Sequence, residues 1–252
     1  MSWIRTATGR HLDLTGSTAA DIDPLDLARG LARTCRFAGQ CDAFYSVAQH
    51  SVLASYNVPP QDALHALLHD AAEAYLGDLT GPLKRLLVSY HQTLLVSAAE
   101  VAGMELTDFI EQLDHRLPMN WTVPYTEDVM ALHSQHPFYH QLEKHLLELI
   151  AERFGISARL PDSVKAIDLR LLATERRDLM PDDDEVWTLL EGIEPLPTVI
   201  EPWPAVIAEQ RFLERLRKLT SPSTPPNINA QQKVHNALGS DVSQIAQEGR
   251  HS

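Results

Sequence analysis

A chain of 252 residues with 44% hydrophobic content has ample material for a core, and one helical domain with an appended tail accounts for its length. Its 34 acidic residues outnumber 21 basic ones for a formal charge of −13, which excludes the broad basic surface that duplex nucleic acid requires. A small anionic substrate remains compatible, because a few local cations and a divalent metal can dominate the field in one pocket.

The two thiols, Cys35 and Cys41, have the spacing of neither a zinc knuckle nor a redox C-x-x-C and read as buried free cysteines. The opening residues MSWIRTATGRHLDL lack the apolar stretch of a signal peptide, and no run of about 18 apolar residues occurs. The expectation is a soluble, cytoplasmic protein with no membrane partner.

In chain order, Trp3-Ile4-Arg5-Thr6 and His11-Leu12-Asp13-Leu14 alternate around Thr8-Gly9-Arg10 and predict a small β-hairpin, the one sheet expected. Asp23 followed by Pro24 predicts a capped helix start, carried on by Leu25, Leu27, Ala28, Leu31 and Ala32. Arg36 and Phe37 lie at its far end. A second helix is predicted over 44–56 with His50 among its apolar members, and Pro59-Pro60 ends it. A third is predicted over 61–76, closed by Gly77, with Asp78 just beyond. Thr80-Gly81-Pro82 starts a short helix through Leu83, Leu86 and Leu87, and Leu94 to Ala102 suggests another. Residues 120–124 read as a loop, 127–154 as helix disturbed near Pro137, and 155–161 as a connector. A strong helix is predicted over 162–180, with Val164, Ile167, Leu171, Leu172 and Leu179 on one stripe and Asp168 within it. The acidic run at 181–185 reads as a solvated turn because it lacks EF-hand spacing. A last helix is predicted over 203–219, and residues 221–252 are Ser, Pro, Asn and Gln rich, as a disordered tail would be. The fold class is all-α with a minor hairpin.

Charged groups inside an Ala/Leu helix need partners, and His69-Asp70 is such a pair, with Glu73 one turn later. Adjacent helical residues project about 100° apart, so His69 and Asp70 can straddle one ion while His50 and Asp168 arrive from other helices. Two imidazoles and two carboxylates suit Mn, Fe, Co, Ni or Zn rather than the all-oxygen cages of Ca and Mg. A rival pair, His65 and His69, lies four residues apart on one helical face, but the glutamate of H-E-x-x-H is missing. The scattered His91, His115, His133, His136 and His140 show no regular spacing that would make a second site.

His50 in SVAQHS, His69-Asp70 in LLHDAAE and Asp168 in KAIDLR resemble the H…HD…D signature of the HD-domain metal-dependent phosphohydrolases. The stretch HDAAEAYLGDLTGPLK, from His69 to Lys84, is similar to the central motif of the branch containing bacterial 5′-deoxynucleotidases. The branch that cleaves cyclic dinucleotides differs, carrying lysine where Glu73 stands. The resemblance implies an HD-domain helical bundle over 1–220, with His50, His69, Asp70 and Asp168 holding one divalent transition metal. It also implies that Glu73 acts near the attacking water, that Asp78 touches the sugar 3′-hydroxyl, and that Arg36 contacts phosphate. Phe37 stands where those nucleotidases have tryptophan, which keeps an aromatic wall at the substrate and removes an indole donor. Lys84 is a further substrate contact or a surface cation. The segment 91–150 is longer than in compact members and reads as an inserted lid, a homodimer interface or a specificity element. The expected activity is removal of phosphate from (deoxy)nucleoside 5′-monophosphates. Release of tripolyphosphate from deoxynucleoside triphosphates, and nucleotide sensing without turnover, are the alternatives.

Overall fold

The N-terminal alternation folds as a two-stranded antiparallel hairpin, β1 (Trp3–Arg5) and β2 (His11–Asp13), with Ile4 opposite Leu12. The protein, a computed structural model, is described over residues 3–114, 138–182 and 184–221. The backbone is otherwise helical. Asp26 docks the hairpin turn on the first helix: its buried carboxylate accepts from the Thr8 amide at 2.7 Å and the Thr8 hydroxyl at 2.8 Å. Two charge-assisted bonds on one buried carboxylate make this a firm anchor.

Helix α1 (Pro24–Arg33) begins as predicted, with Asp23 accepting from the Leu25 amide at 2.9 Å and Pro24 at the first helical position. Helix α2 (Val47–Tyr56) starts three residues later than expected. Ser46 caps it by accepting from the Gln49 amide, and the preceding residues pair instead as a short bridge, Cys35 opposite Ser46. Nearly all of α2 is buried; Gln49, His50 and Ser55 have partners for their polar atoms, whereas the Ser51 hydroxyl is buried without one. Gln49 donates to the Glu201 carbonyl at 2.8 Å and accepts from the Trp203 amide at 2.7 Å.

The helix expected over 61–76 is interrupted. Helix α3 (Ala63–Leu68) stops at the His69-Asp70 pair, and a single turn, α4 (Glu73–Leu76), follows. Local chemistry explains the break. The Ala66 carbonyl, which a continuing helix would offer to the Asp70 amide, accepts the His69 Nδ1–H at 2.8 Å. The backbone then tightens into i to i+3 bonds, Ala71 to Leu68, Glu73 to Asp70 and Ala74 to Ala71. Gly77, at φ +78° and ψ 161°, ends the element in a conformation open to glycine.

The short helix expected after Pro82 is the start of α5 (Gly81–Ala102), which runs for 22 residues because nothing between Leu83 and Ala102 breaks it. Gly103 ends it in the left-handed region. Helices α6 (Leu106–Asp114), α7 (Phe138–Phe154), α8 (Asp162–Leu179) and α9 (Ala205–Thr220) follow. Thus the 91–150 segment holds helix in its described parts. The predicted loop at 120–124, the disturbance near Pro137, His115, His133 and His136, and the tail from 222 onward lie outside the described residues.

The core joins Leu27 and Leu31 of α1, Val47 and Val52 of α2, Leu67 of α3, Ala71 of the turn after it, Leu146 and Ile150 of α7, and Phe212 and Leu216 of α9. A second cluster packs Val164, Ile167 and Leu171 of α8 on Ala54 and Ala66. Leu172, placed on this stripe by sequence, is half-buried. Arg29 and Arg33 of α1 grip Glu209 of α9 at 3.1 and 2.6 Å. Cys35 and Cys41 are free and half-buried rather than buried, since they flank a surface turn; the Cys41 thiol donates to the Ala43 carbonyl. Among the described residues, no helix is long and apolar enough to cross a membrane.

Candidate metal centre

Three backbone elements deliver the site. Packing of α2 on α3, and of α8 on α2, turns three helix faces toward one point. From α2 comes His50, fully buried; from the tight turn after α3 come His69 and Asp70; from α8 comes Asp168, half-exposed at the rim rather than buried as its stripe suggested. His50 Nε2 lies 3.3 Å from His69 Nε2 and 3.2 Å from Asp168 Oδ1, and His69 Nε2 lies 3.8 Å from Asp168 Oδ1. Asp70 Oδ2 completes the group at 3.2 Å from His69 Nε2 and 3.6 Å from His50 Nε2.

These separations fit a common ion. Ligands about 2.1 Å from one centre stand about 3.0 Å apart at right angles and about 3.4 Å apart at the tetrahedral angle. The orientation of His69 fits as well. Its Nδ1 must donate, because the Ala66 carbonyl can only accept, so in the neutral ring Nε2 carries a lone pair directed at the cluster. A cation between facing ring nitrogens and carboxylates satisfies all of them. The residues His50, His69 and Asp168 therefore form a group able to hold a metal ion, with Asp70 beside them.

Without an ion the same groups titrate against each other. Burial and the Arg36 charge oppose protonation of His50, but the Glu175 charge and hydrogen bonds to Asp168 and Glu175 raise its pKa to about 10. Burial likewise opposes, and Asp70 and Asp168 favour, a raised value for His69. Burial disfavours the Asp168 carboxylate, yet the hydrogen bonds from His50 and His69 hold it well below the usual range.

Glu73 sits beside this group and differs from it. The i to i+3 turn eclipses Asp70 and Glu73, which brings the two carboxyls to one side. Burial, with Asp70 and Asp78 close by, raises Glu73 to about 9 against the pull of Arg36 and Lys84. Its Oε2 is buried with no hydrogen-bond partner. Lys84, on the first turn of α5, reaches to 3.9 Å from Glu73 Oε1 while bonding Glu143 Oε1 of α7 at 2.9 Å. Asp78 is half-buried just past Gly77, and burial raises its carboxyl.

The bridge between residues 35 and 46 sets Arg36, whose amide donates to the Tyr45 carbonyl at 2.9 Å. Its guanidinium lies 3.5 Å from Asp70 Oδ2 and stands 5.5 Å from the Phe37 ring. Phe37 and Ala38 both occupy the left-handed region, at φ 57° and 51°, where side chains are strained.

Sequence reasoning missed Glu175 of α8. Its side chain is fully buried, with Oε1 at 2.6 Å from His50 Nδ1 and Oε2 at 3.0 Å from Arg36 Nη2. Burial works against its ionisation, and Arg36 and His50 overcome that to lower its pKa. The available signal was spacing: Glu175 follows Asp168 by seven residues, two helical turns on the same face. His65, the rival ligand, has both ring nitrogens buried without a partner and does not join the cluster.

The fold and site define an α-helical protein with a partly buried cluster of two histidines and two aspartates. It belongs to the family of the uncharacterized protein YfdR of Escherichia coli K12, to which it is 36% identical over 193 residues, 77% of this chain and 81% of that one. An uncharacterized protein of Rhodobacter capsulatus is 44% identical over 92 residues, 33% of this chain and 47% of the relative. No protein-family model matches the chain.

Proposed function

We propose that the protein is a metal-dependent phosphohydrolase of the HD type, removing phosphate from (deoxy)nucleoside 5′-monophosphates in the cytoplasm. The observation that carries this reading is the convergence of His50, His69, Asp70 and Asp168 beside a carboxyl, Glu73, whose Oε2 is buried and unpartnered. His50, His69, Asp70 and Asp168 would hold one divalent ion, Co, Mn, Zn, Ni or Fe by donor type. When bound there, the ion supplies Lewis-acid polarisation of a phosphoryl oxygen.

The protein's own groups supply the rest. Glu73 takes a proton from the attacking water; burial and the neighbouring carboxylates, which raise its pKa to about 9, hold it protonated near pH 7 until a positive charge at the centre ionises it. The ion's charge, once in place, acts on that carboxyl in the opposite direction. Arg36 uses its remaining N–H donors on phosphate oxygens, and Lys84 balances charge on the far side of Glu73. Asp78 accepts from a sugar hydroxyl, and the Phe37 ring walls the substrate.

The test is a panel of nucleoside mono-, di- and triphosphates incubated with the Mn-, Co- or Zn-loaded protein and read by phosphorus NMR. Inorganic phosphate from monophosphates is the expected product. Tripolyphosphate from triphosphates would move the reading to a triphosphohydrolase, and binding without turnover across the panel would move it to a nucleotide sensor.

A further inference from the structure

Glu175 stands behind the candidate centre rather than in it, and its surroundings demand a carboxylate. Its side chain has no exposed surface. Oε1 accepts from His50 Nδ1 at 2.6 Å, and Oε2 accepts from Arg36 Nε at 3.1 Å and Nη2 at 3.0 Å. The two partners come from different parts of the chain, 125 and 139 residues away. Both can only donate. A guanidinium has no acceptor, and an imidazole that offers Nε2 to an ion must carry its proton on Nδ1.

We propose that Glu175 is a positioning residue whose double-acceptor carboxylate locks His50 in the Nδ1–H form and Arg36 in place at once. Metal affinity at Nε2 and the aim of the guanidinium are thereby set by one side chain. This rests on the metal-centre part of the reading above and is independent of the reaction catalysed.

The chemistry separates this role from simple packing. Glutamine has the shape of glutamate but one acceptor oxygen and one NH2 donor. In Glu175→Gln the charged guanidinium claims the oxygen, since charge-assisted bonds are the stronger ones. The NH2 then faces His50 Nδ1. The ring answers by accepting there and moving its proton to Nε2, which removes the lone pair an ion needs. Deleting the competitor reverses this. In Arg36→Met/Glu175→Gln the amide oxygen is free to accept from His50 Nδ1.

The experiment is a double-mutant cycle in zinc affinity, measured by competition with a chromophoric chelator. Circular dichroism of the metal-free proteins establishes that each variant is folded. Glu175→Gln is expected to weaken zinc binding by about 10- to 100-fold relative to wild type, the range for partners that orient a ligand. Arg36→Met/Glu175→Gln is expected to bind within about 3-fold of Arg36→Met alone, a rescue that a packing defect would not give. Should Glu175→Gln not fold, the comparison of the double variant with Arg36→Met still decides. Unchanged zinc affinity in Glu175→Gln, or a double variant far weaker than Arg36→Met, overturns the proposal. Absence of zinc binding by the wild type would overturn the metal centre itself and this role with it.

Discussion

Substitution of Gly30 by alanine tests the packing that carries Glu73. Gly30 lies inside α1, where alanine is intrinsically favoured by about 0.8–1.0 kcal/mol. A Cβ built there would stand 2.6 Å from the Ala74 carbonyl oxygen and 2.9 Å from the Ala74 Cα and Cβ. Carbon atoms prefer separations of about 3.5–4.0 Å. The obstacle is the backbone of α4, which no rotamer change can move, so α1 and α4 must part. Overpacking of this kind costs about 1–3 kcal/mol. With the upper part of that range offset by propensity, Gly30→Ala should lose about 1–2 kcal/mol, or about 2–8 °C in Tm for a domain of this size. Thermal and urea unfolding of the metal-free protein measure it. Because Ala74 follows Glu73, the same shift displaces the proposed proton acceptor, and a displacement of about 1 Å can cost about 100-fold in rate. Zinc affinity should change far less. A Gly30→Ala protein as stable as wild type would refute the close-approach argument.

Asp70→Ala should abolish metal retention and hydrolysis together, whereas Glu73→Ala should retain metal and lose about two to four orders of magnitude in turnover; elemental analysis and product release check both. Normal hydrolysis by the Glu73 variant would remove its assignment. Ala38→Gly should stabilise the protein by about 0.5–1 kcal/mol in denaturant unfolding, because relief of the left-handed strain at φ 51° exceeds the entropy that glycine adds to the unfolded chain. Burial opposes ionisation of Glu209, but its bonds to Arg33 and Arg29 win and depress its pKa. A depressed carboxyl contributes stability above its unfolded pKa of about 4.3, and that contribution disappears as pH falls through the lower folded value. The Tm difference between wild type and Glu209→Gln should therefore be present at about pH 7 and shrink below about pH 4.

Most of the secondary structure was legible because local rules governed it. The hairpin followed from alternation, α1 from an aspartate cap before proline, the end of α2 from proline and the end of α4 from Gly77. What escaped was decided by competition or by distance. The break at His69 arises because an imidazole takes the Ala66 carbonyl from the backbone, and no periodicity reports that. The length of α5 was underestimated because Ser89, Tyr90, His91, Gln92 and Thr93 carry no apolar stripe, although none of them stops a helix. In the candidate site, polar residues in apolar helices marked His50, His69, Asp70 and Asp168, and the structure gathers all four. Glu175 escaped because its reason for being buried lies in Arg36 and His50, far away in sequence. Asp168 was expected on a buried face, but α8 turns it to the rim of the site, where it is half-exposed.

The separation between the parts of the centre bears on when it comes into being. His50 and His69 are 19 residues apart, whereas His50 and Glu175 are 125 apart. Closing the longer loop costs only about 1.7 kcal/mol more, so the thermodynamic penalty is small. The kinetic one is larger, because non-local contacts slow folding. A chain emerging from the ribosome exposes His50, His69 and Asp70 long before Asp168 and Glu175 are synthesised. Until α8 docks, that partial set lacks the Asp168 carboxylate and the Glu175 carboxylate behind His50. Under the proposed metal binding, an ion that needs the whole set would stabilise the native state alone, and its uptake would be a late event that marks completed folding.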